Sequence, residues 1–282
     1  MTSEINNKDS RVEEIYQSMR IRMIQFDTNP WLNDVRTRML VWIQELANQR
    51  GKGLHYLGMP SVMFYDVKDW LTYLGEVSSV ELMTDIYTKQ AISGPKLGIP
   101  YNGYLGDIDY VIHNAKDYNE RKLEGPFDLV FLDYWEDIFY QKVNRLHTAS
   151  SLAAQQYLCG QKEWIFALSH RVEEKNEDAY FALTSQINET ERVQFDDSQL
   201  QHAYSVIWNM KKAFVEKGYR SAGIELYMYA QRLHYVFKLE HMLQSDPVNP
   251  LMSDLRVWKE GNEQELFVEL DISKGELHGK SN

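Results

Sequence analysis

Phe127-Asp128-Leu129-Val130-Phe131-Leu132-Asp133 is the most constraining stretch of the chain. An apolar run this short has no polar alternation left for a solvated face, so it reads as a strand buried on both sides. Strands of that kind belong to parallel sheets covered by helices on both faces. Similar short runs occur at Leu54–Leu57, Val77–Leu82, Tyr101–Leu105 and Glu163–Ser169. Helical patterns separate them: Met63–Leu74 (with Ser61 as cap and Gly75 as stop), Thr84–Ser93, Ile108–Tyr118 and Val143–Leu158. Further helical periodicity runs between Asp178 and Lys217. Ser221–Tyr229 and Leu233–Leu239 follow, close enough to form a hairpin.

Strands alternating with helices of ten or more residues predict an α/β fold. The expected form is a doubly wound, mainly parallel seven-stranded sheet with an antiparallel edge hairpin and helices on both faces. Before it, Arg11–Phe26 and Val35–Leu46 show three- and four-residue apolar spacing, an N-terminal helical layer over residues 1–50. The sheet domain is expected over 51–244. Asp246-Pro247 and Asn249-Pro250 then open a charged tail, 245–282.

Composition narrows the function classes. The 282 residues carry 30 Lys+Arg against 41 Asp+Glu, a net charge of -11, which argues against a coat for a long polyanion. Cys159 stands alone, excluding a disulfide framework and a cysteine-based metal site. The eight histidines show no metal-binding spacing, so no metal is expected. The polar start MTSEINNKDS has no apolar signal core, and no run of 18 apolar residues occurs; a soluble, cytoplasmic protein without a membrane partner is expected.

In doubly wound sheets, ligands sit beyond the carboxyl ends of the strands, at the switch point. Four such ends carry notable residues: Gly58-Met59-Pro60-Ser61, Glu81, Gly106-Asp107 and Asp133-Tyr134. Glu81 follows Gly58 by about the 20 residues expected for an acid that hydrogen-bonds a ribose diol. A carboxylate suits the diol because it accepts from both hydroxyls at once. Phosphates, by contrast, need glycine-rich turns with backbone N–H groups facing the anion. The first loop has one glycine, and Pro60 removes a donor. A phosphate-free nucleoside fits better, with S-adenosylmethionine the leading candidate. Asp107 also suits the cap of the helix that starts at Ile108.

The order Leu57-Gly58-Met59-Pro60, Ser79-Val80-Glu81-Leu82, Leu105-Gly106-Asp107-Ile108 and Phe127–Asp133 resembles class I S-adenosylmethionine-dependent methyltransferases, over about residues 50–240. The resemblance implies that Gly58 and Pro60 shape the cofactor loop, Glu81 binds the ribose and Asp107 lies at the adenine. It also implies that Asp133, with Tyr134, faces the acceptor, where Asp133 can take a proton. Two positions depart from the pattern. Tyr56 stands where the family has an acid, and Tyr134-Trp135-Glu136-Asp137 replaces the Pro-Pro-Tyr of amino-methyltransferases. The acceptor stays open among nucleic acid, protein and small molecule. The second reading is a catalytically silent, methyltransferase-like subunit that works through a protein partner or a second copy.

Overall fold

The computed structural model describes residues 30–61, 64, 67–140, 144–188, 192, 194–242, 255–261 and 267–271. The helix read at Arg11–Phe26 lies outside them. In chain order the strands are β1 (Leu54–Gly58), β2 (Leu74–Glu81), β3 (Tyr101–Leu105), β4 (Leu129–Asp133), β5 (Glu163–Arg171), β6 (Tyr219–Tyr229), β7 (Arg232–His241), β8 (Leu255–Glu260) and β9 (Phe267–Asp271). The helices are α1 (Pro30–Arg50), α2 (Thr84–Ser93), α3 (Ile108–Asn114), α4 (Leu146–Leu158), α5 (Glu177–Ser185) and α6 (Ser198–Glu216).

The strands form one sheet in the order β3-β2-β1-β4-β5-β7-β6-β8-β9. β1 to β5 run parallel, with β1 as the switch point between β2 and β4. β7 runs antiparallel between β5 and β6. The expected seven strands are therefore present, and the sheet is larger than expected by two. β8 adds to β6 in parallel and β9 closes on β8, both drawn from the segment read as a charged tail. Leu255 and Val257 explain the recruitment: both are fully buried in β8, where they extend the core that covers Ile224 and Leu226.

Each face of the sheet buries its own core. On one side α1 lays Val35, Met39, Ile43 and Leu46 over Tyr56, Leu129, Phe131 and Ile165. On the other, α3 to α6 cover Leu57, Val130, Leu132 and Phe166, with Trp164 and Phe214 edge-on at 6.0 Å. Fully burying each such side chain contributes about 1.5–3 kcal/mol before chain entropy is counted, so both layers are needed to hold the strand ends in place.

The segment after β1 departs most from expectation. Among the described residues, the stretch expected to be a helix over Met63–Leu74 holds a short 3₁₀ helix, Lys68–Tyr73, and β2 already starts at Leu74. Phe64 sits at φ 58°, which no helix accommodates, and its ring packs edge-on against Tyr101 at 5.5 Å. Gly75 lies inside β2 rather than ending a helix. A Cβ on Gly53 would come within 2.5 Å of the Gly75 backbone, so these two glycines let the entries to β1 and β2 touch. Met63 and Asp66 lie outside the described residues. α3 ends at Asn114, earlier than Tyr118, because Ala115 turns left-handed at φ 53°.

Candidate functional site at the strand ends

The carboxyl ends of β1 to β4 meet at the switch point. Register places Gly58 beside Ser79 and Phe131, and Glu81 beside Leu105. Gly58, Glu81 and Asp133 thus share one edge of the sheet, and Asp107 follows directly after β3.

Gly58 is glycine for a reason the sequence does not announce. A side chain there would collide with the hydroxyl of Tyr56 and lie 2.7 Å from the Phe131 carbonyl. Tyr56 and Gly58 point to the same face, two residues apart in one strand, and the phenol folds over the glycine. Pro60 is buried, and its carbonyl accepts from the Gln90 amide at 2.7 Å. Gln90 in turn accepts from Ser79 at 3.2 Å, while Ser79 pairs with the Tyr101 hydroxyl at 2.8 Å. The first loop is thereby tied through α2 to β2 and β3 without any run of glycines.

The three acids are in three different states. Glu81 is largely buried, accepts from the Met83 amide at 2.9 Å, and has no side-chain partner among the described residues. Burial pushes its pKa up and nearby Asp85 adds to this, while the Met83 and Leu82 amides oppose it. Asp107 caps α3, accepting from Asp109 N at 2.9 Å and Tyr110 N at 3.2 Å. Asp133 is paired with Arg232 from the start of β7, which also donates to the Tyr134 carbonyl at 3.3 Å.

Tyr134 does not face open space. Its ring is 2% exposed, its hydroxyl donates to Asp109 at 2.6 Å, and the Arg145 guanidinium lies 4.1 Å over the ring. Burial, then the Asp109 carboxylate, push its pKa well up. Tyr134 therefore anchors the loop after β4, and the surface falls to Trp135, 60% exposed with Arg232 5.8 Å from its ring. The same loop is fastened by Asp137, fully buried, which accepts from the Phe139 and Glu173 amides and the Tyr180 hydroxyl. His170, at the end of β5, is also buried rather than turned into the crevice. It contacts the Tyr235 hydroxyl at 3.1 Å, and burial pulls its pKa down to about 4.

Arg232, Asp109 and Asp137 are the residues sequence reading missed. Arg232 opens a strand about 100 residues beyond Asp133, and no local pattern links the two. Leu82 (55% exposed), Met83 and Tyr118 leave apolar surface at the ends of β2 and β3, and Tyr118 flanks Gly106.

No helix among the described residues is long and apolar enough to cross a membrane. No protein-family model and no curated protein sequence matches the chain. Among solved structures, it is similar to Trm1 from Pyrococcus horikoshii in complex with S-adenosyl-L-methionine. The TM-score is 0.52 at 9% identity, over 75% of this chain and 56% of that one. The chain thus spans little more than half the length of that structure. It is also similar to the N-methyltransferase NodS from Bradyrhizobium japonicum, with a TM-score of 0.44 at 8% identity over 77% of this chain and 99% of that one. With β1 as the switch point, the strand order β3-β2-β1-β4-β5-β7-β6 and β7 reversed, the chain has the class I S-adenosylmethionine-dependent methyltransferase fold.

Proposed function

We propose that the protein is an S-adenosylmethionine-dependent methyltransferase. The observation that carries this reading is Glu81, a largely buried carboxylate at the end of β2 with no cation beside it among the described residues. The Met83 and Leu82 amides compensate it only in part, since burial still pushes its pKa up, which points to a ligand that supplies further hydroxyl donors. A ribose diol does so without bringing phosphate charge into a crevice that already holds Glu81 and Asp107. When bound, the cofactor supplies an electrophilic methyl group; the chain supplies position. Glu81 holds the ribose, and the Gly58–Pro60 loop, fixed by Gln90, lines the methionine side. Gly106 and Asp107, flanked by Leu82 and Tyr118, line the adenine.

Asp133 and Trp135 border the acceptor side. Paired with Arg232, Asp133 is a better orienting group than a base, because removing its charge would strand the guanidinium. The acceptor's nucleophile then arrives with its lone pair free. Tyr134 acts behind the surface by holding the loop through Asp109.

One observation favours the competing reading, a silent subunit: the Tyr56 ring over Gly58 fills space beside the cofactor loop. Titration calorimetry with S-adenosylhomocysteine separates the two. The enzyme reading expects saturable binding, weakened about 10- to 100-fold in Glu81→Ala, the loss of a hydrogen bond to a charged group. Absence of binding at millimolar ligand sinks it, and unchanged affinity in Glu81→Ala removes the ribose assignment.

A further inference from the structure

The stretch that follows α3 turns back on itself and fastens to the end of β3. Lys116 bridges Lys122, the Asp117 amide donates to the Arg121 carbonyl at 3.0 Å, and Glu120 turns left-handed at φ 63°. At the base of this small hairpin stands Asp117, 0% exposed. Its carboxylate accepts from the amides of Asn119 and Arg121 and from Arg121 Nε, each at 2.9 Å. It also accepts from the amide of Leu105, the last residue of β3, at 3.3 Å, so one buried side chain both shapes the hairpin and joins it to the strand. Two further bonds close the attachment: the Tyr118 amide donates to the Leu105 carbonyl at 2.8 Å, and the Arg121 guanidinium donates to the Gly103 carbonyl. β3 is an edge strand, and these bonds satisfy backbone groups that its free side leaves open.

The consequence falls on Tyr118, whose backbone is pinned to β3 directly and through Asp117. Its ring lies against Gly106, the residue after β3: a Cβ there would stand 3.4 Å from the Tyr118 Cδ1 and Cε1 atoms. Tyr110 of α3 braces the ring edge-on, with centroids 4.9 Å apart. The side chain is nevertheless 48% exposed. A ring fixed on two sides and open on the rest forgoes apolar burial, and the open part suits a flat heteroaromatic ligand, which stacks on an aromatic side chain through its π-face. Arg121 reaches the other side of the same strand ends. Its guanidinium lies 5.8 Å from the ring of Tyr87 on α2, the helix into which Leu82 and Met83 lead.

We propose that Tyr118 is a stacking platform for the adenine of the bound cofactor, and that Asp117, with Arg121, is a positioning residue that fixes this ring before the ligand arrives. The inference rests on the function proposed above and adds to it the residues that hold the base. Fixing the ring in advance has a physical return: a side chain already ordered loses no rotamer freedom on binding, so more of the stacking energy appears as affinity. Asp117 itself is fully buried beneath the hairpin and acts only through the ring it holds.

The test is titration calorimetry of the full chain with two probes, adenosine and S-adenosylhomocysteine. Tyr118→Ala should weaken both by about 5- to 150-fold, the range for removing one base–aromatic stack. Tyr118→Phe keeps the ring and should restore the wild-type affinity. Asp117→Asn should weaken both probes in the wild-type background and add no further loss to Tyr118→Ala, because it acts through that ring. Thermal melts check that each variant is folded at the titration temperature. Should Asp117→Asn fail to fold, Arg121→Gln, at a side chain 45% exposed, takes its place in the cycle. S-adenosylhomocysteine bound equally well by Tyr118→Ala overturns the platform and leaves the methyltransferase reading standing. Asp117→Asn (or Arg121→Gln in its place) that lowers the thermal midpoint with both affinities unchanged, or that weakens Tyr118→Ala as much as wild type, overturns the positioning role and leaves a cap on the sheet edge. Adenosine bound in a Tyr118-dependent way without S-adenosylhomocysteine binding supports the platform and sinks the methyltransferase reading. Binding of neither probe overturns both.

Discussion

Under the proposed function, Glu81 serves binding and stability in opposite directions. Its pKa is raised on folding, so the native state holds the proton more tightly than the unfolded chain. Folding gains from Glu81 at low pH, and the gain is lost as pH rises from the unfolded pKa through the folded one. Glu81→Gln removes that penalty, so it should raise the thermal midpoint at pH 7 while weakening S-adenosylhomocysteine. Its advantage should vanish below the ordinary carboxylate range, and thermal melts from about pH 3, below that range, up to neutral pH check the sign. Asp107 behaves differently because its carboxylate is already spent on the α3 cap. Asp107→Ala should cost about 1 kcal/mol in urea unfolding and Asp107→Asn much less, since Asn caps as well as Asp. The sequence disclosed the positions of these acids, because strand ends can be read from apolar runs. It did not disclose their states. The partner of Asp133 is Arg232, two places away in the sheet and far away in sequence, and the hydroxyl of Tyr134 is claimed by Asp109 on α3. Long-range pairs of single side chains leave no periodicity to read.

Among the elements, those carried by apolar periodicity were legible, and those set by one residue's backbone or by weak burial were not. β1 to β7 stand within a few residues of their expected bounds, because each is bracketed by turn formers and filled with buried side chains. The helix expected after β1 fails at Phe64, whose left-handed backbone answers to packing on Tyr101 rather than to helical spacing. β8 and β9 were read as tail because Asp246-Pro247 and Asn249-Pro250 are strong breakers and the strands beyond them are short and charged. Two buried residues are enough to dock β8. Leu255→Ala should therefore cost about 2–5 kcal/mol by urea unfolding. β8 lies five places from β1 in the sheet, so the affinity for S-adenosylhomocysteine should be unchanged in calorimetry. A parallel loss of affinity would mean that the far edge supports the crevice, contrary to the contacts seen.

For the whole molecule, charge decides which acceptors can approach. Glu81 and Asp107 stand at strand ends of a chain with a net charge of -11, and three of its arginines are paired: Arg232 with Asp133, Arg121 with Asp117, and Arg145 with Asp109 and Glu136. Binding a long polyanion requires several basic side chains that can each release a counterion, and the logarithm of affinity then falls by about 0.9 for each such contact per tenfold rise in salt. Single committed cations do not provide that. Fluorescence anisotropy with labelled duplex RNA should accordingly show no saturable binding at physiological salt, and no steep gain when the salt is lowered. The same measurement thus divides acceptors by size: a slope of several units would place a polyanion on this surface despite its net charge. A flat response would leave acceptors other than a long polyanion as the ones the charge distribution admits.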